Sequence, residues 1–106
     1  MNPTLPEPQF QILLALASGP KHGHLIHTTI DQEHPNLILP ATLYNHLKKL
    51  ETQGMIREIN PTITPLNKNH ENRKTYELTE QGTHALKNHL KRLEQQLNTA
   101  RKLRLL

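Results

Sequence analysis

The sequence predicts a mainly α-helical domain that carries one small β-hairpin. Four segments place apolar residues three and four positions apart, which is the spacing of one face of an α-helix. A stretch around residue 76 instead alternates polar and apolar residues, which is the period of a half-buried strand. The chain has 106 residues, 34% of them hydrophobic and only 3% aromatic, so we expect one small core built from aliphatic side chains.

The formal net charge of +4 is distributed unevenly along the chain. Residues 1–40 carry one basic and three acidic side chains, a net charge of −2, whereas the remaining residues carry 12 basic and 6 acidic side chains, a net charge of +6. A positive field concentrated in one part of a protein suits a polyanion such as nucleic acid, or else an anionic membrane surface.

The absence of cysteine excludes several classes of protein, namely disulfide scaffolds, thiolate metal sites and cysteine nucleophiles. The longest apolar run, residues 12–17, is too short for a membrane span. The N-terminal stretch MNPTLPEPQF lacks the basic region of a signal peptide. We therefore expect a cytoplasmic, nucleoid-associated protein with no membrane partner.

Two helices are predicted in the N-terminal third, after an extended arm over residues 1–8 that contains three prolines. Pro8 suits the first turn of a helix, which Gly19-Pro20 ends. The second helix is predicted over residues 22–33, before the breaker His34-Pro35-Asn36. The expected inward side chains are Phe10, Leu13, Leu14 and Ala17 in the first helix, and Leu25, Ile26 and Ile30 in the second.

A third helix and two strands follow. Pro40 opens the third helix, and Gly54 ends it as a left-handed cap residue. Its buried face comprises Leu43, Leu47 and Leu50, spaced i, i+4 and i+7. Residues 55–59 and 75–78 are predicted to form a hairpin whose long connection, NPTITPLNKNHENRK, carries three cations near its end: Lys68, Arg73 and Lys74.

Thr79 is predicted to cap a fourth helix that carries a heptad seam. The domain core already lies under the first three helices, so the seam would be left exposed and would favour association. We expect it to pair with a second copy of the chain around a two-fold axis. The predicted dimer interface comprises Leu86, Leu90, Leu93, Leu97 and Ala100.

Three helices followed by a two-stranded hairpin is the order of a winged helix-turn-helix domain. Within that order the strings PKHG, ATLYNHLKKLETQGMI and RKTYELTEQG resemble the PadR-like family of bacterial winged-helix transcriptional regulators, over about residues 10–90. The positions that carry the resemblance are Pro20, His22, Gly23, Thr42, Leu43, Tyr44, Leu47, Leu50, Glu51, Gly54, Ile56, Arg73, Tyr76, Leu78, Thr79 and Gly82.

The resemblance implies a winged helix-turn-helix DNA-binding domain over residues 9–79 and a C-terminal dimerisation helix over residues 80–106. The chain resembles the short form of the family, which has a single C-terminal helix. Three departures are present: His24 replaces a usual aromatic residue, Ala41 replaces a frequent glycine, and tryptophan is absent. The sequence therefore lacks the rings between which some members of the family bind flat drugs.

The side of the third helix opposite its buried leucines is predicted to contact DNA. At about 100° per residue, Ala41, Asn45, Lys48 and Thr52 fall opposite the buried leucines. The N-terminal residues of a recognition helix face base edges, and cations farther along contact phosphates. We expect Thr42 and Asn45 to contact base edges. The residues expected to contact phosphates are Tyr44, Lys48 and Lys49 in the third helix, Lys68, Arg73 and Lys74 in the loop, and Lys21 and His22 at the start of the second helix.

These patterns favour a homodimeric repressor that binds double-stranded DNA at an inverted-repeat operator. The alternative is a winged-helix module that binds a protein partner and does not read DNA. A metal sensor is a weaker alternative, because His24 and His27 share a helical face but no carboxylate lies at a matching position. His84 and His89 are expected at the surface. No catalytic motif and no cofactor site is predicted, and the sequence does not identify a small-molecule effector.

Overall fold

The computed structural model describes residues 5–59 and 74–106. These residues form, in chain order, α1 (Glu7–Leu16), β1 (Lys21–His22), α2 (Gly23–Glu33), α3 (Pro40–Thr52), β2 (Ile56–Ile59), β3 (Thr75–Leu78) and α4 (Glu80–Lys102). The predicted fold class, mainly helical with a small antiparallel sheet in a winged helix-turn-helix order, is confirmed. Helix α1 begins at Glu7, inside the span that was predicted to be an extended arm.

The sheet has three strands, whereas the sequence predicted two. The hairpin strands β2 and β3 pair as expected, with Ile56 opposite Leu78. On the other edge of β3, the two-residue strand β1 pairs with it, so that Lys21 lies opposite Tyr76. The strand order is therefore β1-β3-β2. This third strand joins the turn before α2 to the β2–β3 hairpin, which is the wing of the winged helix-turn-helix fold.

The core lies between α1, α2, α3 and the sheet, with the first residues of α4 at its edge. The prediction for α3 is confirmed, since Leu43, Leu47 and Leu50 are each at most 2% exposed. The stripe predicted for α1 is only half right. Phe10 and Leu13 are buried, but Leu14 is 40% exposed and Ala17 is exposed, while the unpredicted core members of α1 are Ile12, Ala15 and Leu16.

The wrong assignments in the first two helices have a physical cause. Helix α1 contacts α2, α3, α4 and β3, so it is buried on most of its circumference and no single stripe defines its inner face. In α2, Ile26 and Ile30 are buried as predicted, but Leu25 is 41% exposed. Leu25 lies in the first turn, where its backbone N–H donates to the capping imidazole of His22.

A compact junction joins the end of α3 to the start of α4. Gly54 has a φ of 78°, the left-handed conformation that was predicted, and its position lets the chain turn back toward β2. Thr79 caps α4 by accepting from the Gly82 N–H at 3.0 Å, and its own N–H donates to the Met55 carbonyl at 3.1 Å. The Gln81 amide donates to the Gln53 carbonyl at 3.1 Å. These bonds fix the end of α3 relative to α4.

Gly82 makes this junction possible. A Cβ atom at Gly82 would lie within van der Waals overlap of the Met55 carbonyl oxygen, so only glycine allows α4 to approach the β2 segment this closely.

Helix α4 projects beyond the core. The described residues extend over 58 × 28 × 21 Å and have a radius of gyration of 15.8 Å, compared with about 13 Å for a compact chain of this length. Leu86 is buried, whereas Leu90 is 39% and Leu97 is 45% exposed. Leu93 is partly buried against the core and Ala100 is partly buried, so Leu90 and Leu97 are the exposed members of the predicted seam in the described part of one chain. No helix in the described ranges has the length and apolar character needed to cross a membrane.

Candidate nucleic-acid interface

The far side of α3 is an exposed polar surface, as the spacing of its leucines requires. Pro40 occupies the first turn, where its missing N–H has no cost, and three leucines anchor the opposite face in the core. We call the exposed residues Ala41, Asn45, Lys48 and Thr52, with Lys49 at their edge, the outer strip; all five are exposed.

Three side chains of the outer strip are available to a ligand. Asn45, Lys48 and Lys49 make no hydrogen bond and no ion pair to any other part of the chain that the structure describes. An amide with its donor and acceptor available can form two bonds to one adenine edge, and an ammonium group can bind phosphate. The strip thus combines a group able to read a base with two cations.

Thr42 is less available than the sequence suggested. It is exposed, but its hydroxyl donates to the Leu39 carbonyl at 2.9 Å, within the first turn of α3. The hydroxyl oxygen can still accept a hydrogen bond, whereas its donor is committed to the backbone. Base reading by Thr42 remains a prediction, limited in this structure to an acceptor role.

Tyr44 lies on the flank of α3 that faces the start of α2. Its ring packs over Gly23, where a Cβ atom would lie 2.9 Å from the phenolic oxygen. Gly23 therefore leaves the space that the ring occupies. The residue as a whole is still 47% exposed, on the flank of α3 beside the outer strip. This position is compatible with the predicted phosphate contact.

Lys21 and His22 already have partners inside the protein. The Lys21 ammonium donates to the Ala15 carbonyl at 2.8 Å and to the Ser18 hydroxyl at 2.7 Å, which places it at the C-terminal end of α1. The His22 Nδ1 accepts from the Leu25 N–H at 3.2 Å and caps α2. A phosphate contact by either residue would have to compete with these hydrogen bonds. The spacing of residues in the sequence does not reveal such bonds.

The wing is described only at its base. Lys68 and Arg73 lie outside the described residues. Lys74 is exposed and has a long ion pair with Glu58, with 3.7 Å between Nζ and Oε1. Arg57 on β2 is a further cation at the wing, which was not among the predicted site residues, and it pairs with Glu77 across the sheet. The register of the hairpin, which places Arg57 opposite Glu77, is the signal that identifies this pair.

Tyr76 of β3 connects the sheet to the core. The residue is 5% exposed, and burial raises the pKa of its hydroxyl to about 12, with the carboxylates of Glu51 and Glu58 acting in the same direction. Tyr76 therefore stays neutral at physiological pH as a member of the core.

The histidines have local structural partners. The His27 ring is hydrogen-bonded through Nε2 to the Ile38 carbonyl at 2.9 Å, and the rings of His22 and His24 are parallel with centroids 6.3 Å apart. Residues 5–59 and 74–106 contain no group of three or more potential ligand side chains placed to hold a metal ion. His89, which was expected at the surface, is partly buried with its ring centroid 4.3 Å from that of Phe10.

Comparison with known proteins places this geometry in a family. Residues 12–88 match the family described as the transcriptional regulator PadR-like family. A PadR family transcription regulator from Clostridium difficile is 18% identical with a TM-score of 0.74, over 92% of this chain and 98% of that one. A PadR-like transcriptional regulator from Bacillus cereus is 17% identical with a TM-score of 0.72, over 90% of this chain and 88% of that one.

Two further similar proteins are longer than this chain. ZitR from Lactococcus lactis, a zinc-responsive MarR family member, is 27% identical with a TM-score of 0.68, and the match covers 97% of this chain and 63% of ZitR. An uncharacterised 37.1 kDa protein in a Streptomyces fradiae transposon is 37% identical over 51 residues, 48% of this chain and 15% of that protein. The chain thus spans about three fifths of ZitR and a small part of the transposon protein.

Proposed function

The chain belongs to the transcriptional regulator PadR-like family, and on that premise we propose that it is a homodimeric repressor that occupies an inverted-repeat operator. The observation that carries the proposal is the outer strip: an exposed amide and two exposed cations, which form no ion pair with any described residue, on the helix that follows the turn of a helix-turn-helix. Such a helix lies in the major groove of DNA, where its first turns face base edges. The role is one of binding without catalysis.

Each residue of the strip has a proposed part in recognition. Asn45 forms two hydrogen bonds with adenine, and Ala41 contacts a thymine methyl group, because its side chain is small, apolar and exposed one turn earlier. Lys48 and Lys49 bind phosphates on either side of the groove, and the Tyr44 hydroxyl binds another. Lys74, together with Lys68 and Arg73, is proposed to contact the backbone from the wing.

Helix α4 is proposed to form the dimer. Its leucines repeat at heptad spacing, and two of them, Leu90 and Leu97, remain exposed in the described part of the same chain. Pairing with a second copy buries this stripe and places the two outer strips on one side of the dimer. The hydrogen-bonded junction between α3 and α4 makes the spacing of the two recognition helices depend on the dimer helix.

The proposal is tested by measuring duplex DNA binding at several salt concentrations. The five cations proposed to contact phosphate in each copy, Lys48, Lys49, Lys68, Arg73 and Lys74, give ten phosphate contacts in a dimer. The logarithm of the association constant should therefore fall with the logarithm of salt concentration with a slope of about −9. Affinity that ignores salt, together with equal affinity for any duplex, would contradict the proposal and favour a module that binds a protein partner.

A further inference from the structure

The turn between α2 and α3 is held in place by few buried side chains. Across residues 31–42, all of which the structure describes, Ile38 is the one buried residue. The first turn of α3 carries Ala41 and Thr42, which are exposed, and Leu43 is the first residue of α3 that is anchored in the core. Burial alone therefore fixes the start of α3 weakly, and its position depends on hydrogen bonds.

Two side chains of α2 form such bonds with the turn. The His27 Nε2 lies 2.9 Å from the Ile38 carbonyl oxygen. A carbonyl oxygen can only accept, so Nε2 carries the proton and donates it. One helical turn later, the Asp31 carboxylate accepts from the Asn36 N–H at 3.1 Å. Because residues four apart lie on the same side of a helix, both bonds come from one side of α2.

The bond from Asp31 holds the point at which the chain reverses direction. Asn36 has a φ of 65°, in the left-handed region that asparagine tolerates better than most residues. On the helical side of the turn, the His34 N–H donates to the Ile30 carbonyl at 2.8 Å and ends α2. The Asp31 carboxylate thus connects the last turn of α2 to the first residues beyond it.

The bond from His27 reaches α3 through two consecutive carbonyl groups. Ile38 directly precedes Leu39, the N-cap residue of α3. The Leu39 carbonyl accepts from the backbone N–H groups of Thr42 and Leu43 at 2.9 and 3.1 Å, and from the Thr42 hydroxyl at 2.9 Å. The carbonyl that His27 holds is therefore followed by the carbonyl on which the first turn of α3 closes. His27 thereby orients this turn.

We propose that His27 and Asp31 are positioning residues for base recognition, because they clamp the turn and so hold Ala41 and Asn45 at the correct position against the base edges. This inference rests on the proposed function. A bidentate contact to a base requires two well-aligned hydrogen bonds, whereas a flexible lysine can reach a phosphate from several positions. The clamp should therefore govern sequence preference and leave the phosphate contacts of the outer strip unchanged.

The bond from His27 is tested in the wild-type chain by nitrogen-15 NMR of the histidine side chains at about pH 8, above the ordinary titration range of imidazole. We expect the His27 ring to carry its proton on Nε2, and this proton to exchange slowly with solvent. His84, an exposed histidine of α4, is the control and should exchange rapidly. A His27 ring with its proton on Nδ1, or with a rapidly exchanging Nε2 proton, would overturn the clamp.

Paired variants separate the hydrogen bonds from the side chains that make them. His27→Ala removes the donor, whereas His27→Gln retains an N–H donor at the end of the side chain. Asp31→Ala removes the acceptor, whereas Asp31→Asn retains a carbonyl oxygen. His84→Ala removes an exposed imidazole outside the turn and is the matched control. Thermal melting followed by circular dichroism measures how much of each variant is folded.

Each variant is then mixed with a random pool of duplex DNA, and sequencing of the bound fraction gives the ratio of its affinities for the preferred sequence and for single-base-pair changes. A bidentate base contact discriminates by about 5- to 150-fold. His27→Ala and Asp31→Ala should each lower the ratio about fivefold or more at the base pairs that α3 contacts. The other three variants should keep the wild-type ratio, and the salt slope should be the same in all, because no phosphate contact is removed.

A variant that is only less folded loses the same factor of affinity for every duplex, so its ratio does not change. Wild-type ratios in folded His27→Ala and Asp31→Ala would overturn this inference alone, as would lowered ratios in His27→Gln and Asp31→Asn. If one alanine variant fails to fold, the other variant and the NMR measurement decide the question. A wild-type chain that binds no duplex would instead refute the proposed function, whatever the NMR measurement shows of the clamp.

Discussion

Asn45 and Lys48 lie three positions apart on α3, yet the same substitution should affect them differently. Asn45→Ala should relax the preference at one or two base pairs, at a cost of about 1–3 kcal/mol for the preferred operator. Lys48→Ala should weaken binding to all duplexes and reduce the salt slope by about one unit per copy. Binding of both variants to a library of operator sequences, at two salt concentrations, measures the two effects.

The matched control for this pair is Lys87→Ala, which removes an exposed cation from α4, outside the outer strip. A uniform loss of affinity in Asn45→Ala across the library would show that Asn45 does not read a base.

Tyr76 makes stability depend on pH in a defined window. Burial raises the pKa of Tyr76 from 10.0 to about 12 in the folded chain. Between these pH values the Tyr76 hydroxyl ionises in the unfolded chain but keeps its proton in the folded chain. The free energy of unfolding is therefore undiminished below pH 10 and decreases as the pH rises toward 12. Two pKa units correspond to a decrease of about 2–3 kcal/mol in the free energy of unfolding.

Tyr76→Phe should remove this part of the alkaline loss of stability. The measurement is denaturant unfolding of the wild type and the variant at several alkaline pH values, because the other groups that titrate there are common to both proteins. Tyr44→Phe is the control, since it leaves Tyr76 as the single tyrosine in the ultraviolet spectrum. Identical pH dependence in the wild type and Tyr76→Phe would contradict the burial argument.

Sequence reasoning found the exposed residues of α3 because helical periodicity fixes the outer side once three leucines are buried. It could not find that the Lys21 ammonium bonds the end of α1, because that contact depends on the turn between them. It likewise missed the short bond from the Thr42 hydroxyl to the backbone. Local hydrogen bonds of this kind decide which polar side chains remain available, and spacing alone does not encode them.

At the scale of elements, the amphipathic helices were predictable and the buried one was not. Helix α3 has one apolar face, whereas α1 is covered by neighbours on several sides, so its apolar residues do not identify an inner stripe. The strand β1 has only two residues and no alternating pattern, so its pairing with β3 depends on tertiary contacts alone.

The dimer should depend on the exposed leucines of α4. Leu90→Lys together with Leu97→Lys should give a monomer, because two ammonium groups per copy cannot be buried in an apolar seam without a large cost. The monomer should bind an inverted repeat far more weakly than the wild type, since its two half-sites no longer act together. Sedimentation equilibrium and duplex binding measure the two consequences.

Lys87→Glu and Lys91→Glu provide a control that changes charge on α4 without touching the predicted seam. The two leucine positions are already 39% and 45% exposed in one chain, so the double lysine variant should fold as a monomer. A double lysine variant that sediments as a dimer with wild-type affinity for DNA would place the dimer interface elsewhere.

For the whole molecule, the two surfaces on which the proposed function depends are connected through one junction. The outer strip of α3 and the leucine seam of α4 belong to helices that are joined by hydrogen bonds from Thr79 and Gln81 to the segment at the end of α3. The excess positive charge lies after residue 40, in the part of the chain that contains both surfaces. In the proposed dimer, this junction would relate the positions of the two recognition helices to the two-fold axis.

The most direct test of this account is selection of bound sequences from a random pool of duplex DNA by the full chain. The account predicts enrichment of an inverted repeat whose half-sites are centred about 10–10.5 base pairs apart, or a multiple of that distance. An A·T pair contacted by Asn45 should be present in each half-site. A pool without enrichment, or one that converges on a single unrepeated site, would contradict the proposal that a two-fold dimer reads DNA through α3.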